Sequence, residues 1–136
     1  MAQAELKKLI SIARDSSRSD EERTTAIHTL KRFSPEEAIP YLLELMKDDA
    51  LSVRWAAATT LRHFGRDMLE PLLRALETKP ADIRFYESAH HALVRFGDPA
   101  IESILAPVLD ALSGPGAATA VPAAAVEALE KLEAAA

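Results

Sequence analysis

The sequence predicts an all-α protein, a right-handed superhelix of about four stacked helical hairpins. A motif of alanine, leucine four residues later and phenylalanine or leucine three further on occurs four times in 136 residues. This spacing is one face of a helix. The apolar fraction is 49%, rich in alanine and leucine, whereas aromatic residues make up only 5%. That balance favours helices over strands.

The repeated motif marks the second helix, B, of each hairpin. Another amphipathic segment precedes each motif and supplies the first helix, A, so we expect one domain over 1–136. The motif leucines lie 31, 32 and 36 residues apart, at Leu30, Leu61, Leu93 and Leu129. The repeats are predicted at 2–34, 35–65, 66–97 and 98–134.

Local signals place the helix ends. Ser19 with Glu22, and Ser34 with Glu37, fit the capping box, and Gly65 stands where a helix ends in the left-handed region. We expect a longer loop at 113–117, inside the last hairpin. The helices are predicted at 2–14, 20–33, 35–47, 51–64, 67–78, 81–96, 99–112 and 119–134.

Prolines recur at similar places in successive A helices. Pro40, Pro71 and Pro107 all fall inside predicted A helices. An interior proline removes a backbone hydrogen bond and kinks a helix. The recurrence therefore predicts a bend that is shared by the A helices.

The second repeat contains the residues of a known repeat type. They are the proline-bearing segment 40–45, the turn Asp48-Asp49, and the helical segment 53–65 that ends in Phe64-Gly65. With these residues the chain resembles HEAT and HEAT-like repeats of the phycobilin-lyase type. The resemblance covers nearly the whole chain and is specific for architecture, whereas members of such a family bind many different partners.

The resemblance also implies a tie between neighbouring repeats. In the family, a turn aspartate and a B-helix arginine often pair across repeats, and Asp49 and Arg54 match those places. Asp82 and Arg84 stand two residues out of that register in the third repeat. We therefore expect the tie to be broken there.

No catalytic, metal or cofactor site is predicted, and we do not expect an enzyme. The histidines His28, His63, His90 and His91 lack the spacing of a metal site, and the adjacent pair points about 100° apart on a helix. Cysteine is absent, which excludes thiolate chemistry. Neither a phosphate-binding loop nor a nucleophile elbow occurs.

The B helices are expected to line the concave side, and their residues beside the core face form the candidate binding surface. Trp55, the only tryptophan, stands there next to Arg62, a composition typical of binding hot spots. Tyr86 and His90 form a second ridge. Lateral packing between helices remains the alternative for Trp55 and for this second ridge. The candidate partner-binding residues are Trp55, Thr59, Arg62, Lys31, His28, Glu87, His91, Tyr86 and His90.

We expect the first of these ridges to continue through Glu127 and Glu130, and so to run from basic to acidic. Residues 1–97 contain 15 basic and 15 acidic side chains, whereas 98–136 contain 1 and 6, which accounts for the net charge of −5. A chain with a negative net charge is not expected to bind nucleic acid through its surface as a whole.

The leading functional prediction is a non-catalytic scaffold that binds a protein or peptide on the concave B helices. Three alternatives stay open. They are an enzyme-accessory protein like the tetrapyrrole lyases that the repeats resemble, a weak nucleic-acid binder through Lys31 and Arg62, and a self-assembling protein that associates through its alanine-rich last hairpin. With no signal peptide and no apolar run of membrane-spanning length, a cytoplasmic protein is expected.

Overall fold

The computed structural model describes residues 2–78 and 81–135, and helices dominate these residues, which contain no strand. Short 3-10 helices at Leu30–Arg32 and Gly65–Met68 follow α2 and precede α5. The all-α prediction is confirmed. The α-helices are α1 (Ala2–Arg14), α2 (Asp20–Thr29), α3 (Pro35–Leu45), α4 (Leu51–His63), α5 (Leu69–Thr78), α6 (Ile83–Leu93), α7 (Pro99–Ser113) and α8 (Ala117–Ala135).

The predicted capping boxes are present at the starts of α2 and α3. The amide of Glu22 donates to Ser19 Oγ at 3.1 Å, and the amide of Glu37 donates to Ser34 Oγ at 3.3 Å. Each glutamate accepts in return from the backbone amide of its serine. Gly65, with φ of 58°, adopts the expected left-handed conformation.

Two local predictions were wrong. Pro71 is not interior, because the chain enters α5 through a 3-10 turn, so that this proline falls in the first turn, where its missing amide costs no helical hydrogen bond. The loop of the last hairpin is shorter than expected, because Ser113 and Ala117 are both helical. Pro40 and Pro107 do lie inside α3 and α7.

The helices α2, α4 and α6 form one tightly packed layer of B helices. Fully buried alanines such as Ala57 and Ala89 lie in this layer, and their small side chains allow the helices to approach closely. The A helices α1, α3 and α5 contact one another much less. The stack therefore curves toward the B layer, and a single apolar core runs through all eight helices.

The last hairpin stacks in the reverse order. Helix α7 packs on α6, and α8 packs on α7 and on the A helix α5, where Arg74 and Glu133 approach to 4.0 Å. The first two B-to-A connections contain a 3-10 turn, whereas the third contains Arg95 and Gly97 with φ of 54° and 102°. The chain consequently turns back directly after α6. Helix α7 therefore packs on α6, and α8 packs on the A helix α5.

This reversal overturns one expectation about the B-helix ridge. Because α8 packs beside α5, Glu127 and Glu130 do not continue the surface of α2, α4 and α6. The repeat motif predicted that they continue this surface, because the motif indicates only which face of a helix is apolar. It does not indicate which neighbouring helix covers that face.

The turn Asp48-Asp49 connects three repeats. Asp48 accepts from Arg23 at 2.5 Å, and Arg23 is only 3% exposed and also donates to the carbonyl of Ala13 at 2.9 Å. Asp49 pairs with Arg84 of the next repeat. The expectation of a broken tie at Arg84 was therefore wrong.

Arg54 has a different role from the one that the resemblance implied. Its guanidinium donates to the carbonyls of Asp48 and Asp49 at 2.8 and 3.0 Å, within its own repeat. The prediction that Arg54 pairs between repeats was wrong, because its guanidinium bonds to backbone carbonyls of the turn just before its own helix.

We predict that Asp48→Asn lowers the free energy of unfolding more than Asp49→Asn does. The first leaves the buried guanidinium of Arg23 without a counter-ion and should lower the free energy of unfolding by about 2–3 kcal/mol. The second breaks an exposed pair and should cost less than about 1 kcal/mol. Urea denaturation of the two variants measures the difference, and equal midpoints would contradict this account.

Candidate functional site

Helices α4 and α6 run parallel in a fixed register. Thr59 Oγ1 lies 3.3 Å from His91 Nε2, and Arg62 Nη1 donates to the carbonyl of Val94 at 2.5 Å, two contacts that each join residues 32 apart. The same register places Glu87 opposite Trp55.

Trp55 lies on the surface that α4 and α6 form together, and its ring packs against the ring of His91. The indole is 47% exposed, and its ring centroid lies 4.1 Å from that of His91, with the two planes tilted by 41°. Burial, followed by the nearby positive charge of Arg62, lowers the pKa of His91. The imidazole beside Trp55 is therefore largely uncharged at neutral pH.

Arg62 is not available as an anchor for a partner. Its guanidinium donates to four backbone carbonyls at the end of α6, those of His91, Ala92, Val94 and Arg95, at 2.5 to 3.2 Å. The last carbonyls of a helix lack partners within the helix, and a cation there also complements the helix dipole. Arg62 thus caps the helix of the next repeat.

The second predicted ridge is only partly at the surface. Tyr86 is only 6% exposed and belongs to the core, so its assignment as a partner-binding residue was wrong. Its hydroxyl has no hydrogen-bond partner among the described residues, and burial raises its pKa. His90 is half-buried at the end of α6, where its carbonyl accepts from the amide of Val94. The alternative of packing against neighbouring helices accounts for Tyr86, whereas the role of His90 in binding stays a prediction.

The first repeat contains His28 and Lys31, two of the residues that were predicted to bind a partner, and both are exposed. His28 Nδ1 lies 3.2 Å from Thr60 Oγ1, a contact that joins α2 to α4. Burial, and then the charge of Lys31, lowers the pKa of His28. Lys31 itself is exposed on the 3-10 turn that follows α2.

Two exposed apolar residues accompany Trp55, and neither was predicted from the sequence to bind a partner. Leu51 is 55% exposed and Ile83 is 74% exposed, at the first positions of α4 and α6. Leu51 lies one turn before Trp55, and Ile83 lies one turn before Glu87. A spacing of four residues on a helix could therefore have indicated both residues, although they lie outside the segment that the repeat motif covers. We call the surface formed by these residues the α4–α6 ridge: Leu51, Trp55, Thr59, Ile83, Glu87 and His91.

The described part of the chain holds no group of three histidine, aspartate or glutamate side chains that could bind a metal ion. In residues 2–78 and 81–135, no helix is long and apolar enough to cross a membrane.

Paired helices stacked around one core, with a tight inner layer, define an α-solenoid repeat protein. The model of the family described as HEAT repeats matches residues 6–91, and the chain belongs to this family. The match ends within α6, before the hairpin that stacks in reverse. No curated protein and no solved structure matches the chain.

We predict that Arg62→Ala destabilises the protein through the end of α6. Four carbonyls lose a charged donor, so the free energy of unfolding should fall by about 2 kcal/mol. Arg66→Ala is the matched control, because Arg66 is exposed and its carboxylate partner Asp98 is 3.9 Å away, and it should cost less than about 0.5 kcal/mol. Thermal denaturation distinguishes the two variants. Equal losses would show that the helix cap does not contribute.

The lowered pKa of His91 predicts a loss of stability in mild acid. The unfolded chain takes up a proton near the ordinary histidine pKa of 6.5, whereas the folded chain takes it up at lower pH. The melting temperature should therefore fall as the pH decreases from about 7 to about 5. His91→Gln removes this proton, and its melting temperature should fall less steeply over that range. A slope equal to that of the wild type would contradict the assignment.

Proposed function

We propose that this protein is a non-catalytic interaction scaffold and that its partner, a peptide or a protein surface, binds on the α4–α6 ridge. The observation that carries the proposal is the grouping of Leu51, Trp55 and Ile83. They are three of the four large apolar side chains that are exposed in the described residues, and they lie on one face of two neighbouring helices. Exposed apolar groups that cluster mark interaction surfaces more often than scattered ones.

Membership of the HEAT-repeat family supports this class of function, because such repeats generally serve as protein-interaction scaffolds. The ridge also lies in the tightly packed B layer, toward which the stack curves. A concave surface of this kind can contact an extended partner across several helices.

Contacts within the chain hold several side chains of the ridge in place. Trp55 packs against His91, His91 contacts Thr59, and Arg62 donates to the backbone at the end of α6. A preordered surface loses less conformational entropy on binding. In this scheme Trp55 is the central anchor, and Arg62 acts by positioning the helix that carries His91.

The other functional classes have less support. Arg62 is occupied by carbonyls, so the basic end proposed for nucleic acid is reduced chiefly to Lys31. Self-association would use the outer side of α8, where Val126 is the fourth exposed apolar residue at 36% exposure.

The α4–α6 ridge predicts which substitution abolishes partner capture. The immobilised wild type, Trp55→Ala and the control Val126→Ala are compared for the proteins that they retain from a lysate of the source cells. Since Trp55 is the central anchor, Trp55→Ala should reduce retention of the partner at least about tenfold. Val126→Ala should retain as much as the wild type.

Circular dichroism must first show that the three proteins are equally helical. Retention that survives Trp55→Ala would remove the ridge from the proposal. Retention that is lost in Val126→Ala alone would transfer binding to α8.

A further inference from the structure

Three arginines around the α4–α6 ridge, Arg54, Arg62 and Arg84, are already engaged. Arg62 donates to carbonyls at the end of α6, and Arg54 donates to carbonyls of the turn before α4. Arg84, next to Ile83, pairs with Asp49 and approaches Asp82 at 3.9 Å. The donors of Arg62, which the sequence suggested as an anchor for a partner, are therefore used within the fold.

Glu87 is the opposite case. It is exposed, and no described side chain donates a hydrogen bond to it or forms an ion pair with it. It lies opposite Trp55 in the parallel register, one turn before the uncharged ring of His91. The centre of the ridge thus combines an exposed indole with a carboxylate that has no counter-ion among residues 2–78 and 81–135.

An indole beside a carboxylate is complementary to a cation. The face of an aromatic ring attracts an ammonium or a guanidinium group, and the carboxylate supplies the countercharge. An acidic segment would meet repulsion from Glu87 at the same place. The charge of the ridge therefore selects basic partners over acidic ones.

We propose that Trp55 and Glu87 together bind a lysine or arginine side chain of an extended basic segment in the partner protein, while Leu51 and Ile83 pack against an apolar side chain next to it. This proposal rests on the proposed scaffold function and specifies the chemistry of the partner at the same ridge.

The spacing of the ridge defines a sequence pattern in the partner. Leu51 and Trp55 are four residues apart on α4, a rise of about 6 Å along the helix. Residues two apart in an extended chain are separated by about 6.7 Å and point to the same side. The geometry therefore matches an apolar residue and a basic residue with one residue between them.

Trp55 provides a direct readout, because it is the only tryptophan in the chain. The probe is an acetylated and amidated peptide in which leucine and lysine alternate with serine, and the matched probe has glutamate in place of lysine. Titration of the full chain with the lysine peptide should shift the emission of Trp55 saturably. The glutamate peptide should leave it unchanged at the same concentrations.

Glu87→Gln should weaken the lysine peptide about three- to tenfold, since it removes the countercharge and leaves Trp55 in place. Glu127→Gln is the matched control, because it removes one exposed carboxylate from α8, away from the ridge. The dissociation constant of this control should equal that of the wild type. Both substitutions are at exposed positions, and circular dichroism verifies that the variants are folded.

Three outcomes would overturn the proposal: no shift with the lysine peptide, equal binding of the glutamate peptide, or unchanged affinity in Glu87→Gln. These outcomes differ from a failure of the scaffold function. Capture of a partner that still depends on Trp55 would preserve the ridge and show that the ridge recognises a different chemistry.

Discussion

Close parallel packing of the B helices is the constraint on which the rest of this structure depends. Buried alanines such as Ala57 and Ala89 bring α2, α4 and α6 together, and contacts between residues 32 apart fix the register. Arg62 holds the end of α6 by its carbonyls. The curvature toward the B layer and the assembly of the α4–α6 ridge from two repeats both follow from this packing.

Much of the fold could be predicted because it is encoded locally. Capping boxes and the spacing of alanine and leucine specify where helices begin and which face is buried. The order of stacking is not local. The reversed last hairpin depends on the backbone of Arg95 and Gly97 and on the fit of α8 against α5, and neither leaves a mark in the repeat motif.

The candidate site could be predicted only in part, because some of its contacts depend on local spacing and others on packing between repeats. The helical period placed Trp55, Thr59 and His91 on one surface, and the structure brings these three side chains into contact. Sequence could not show that Arg62 is occupied by carbonyls of another repeat or that Tyr86 is buried. These two facts change the inferred contacts of the surface, since they take Arg62 and Tyr86 out of direct contact with a partner and leave Glu87 as the exposed carboxylate of the ridge.

Hydrogen–deuterium exchange of the chain, alone and with its captured partner, tests the account most directly, because it locates the binding surface without any substitution. We expect slower exchange on binding in the first two turns of α4 and α6, where Leu51, Trp55, Ile83 and Glu87 lie, and little change in α3, α5 and α8. Protection confined to the A helices or to α8 would contradict the claim that the protein binds through the α4–α6 ridge.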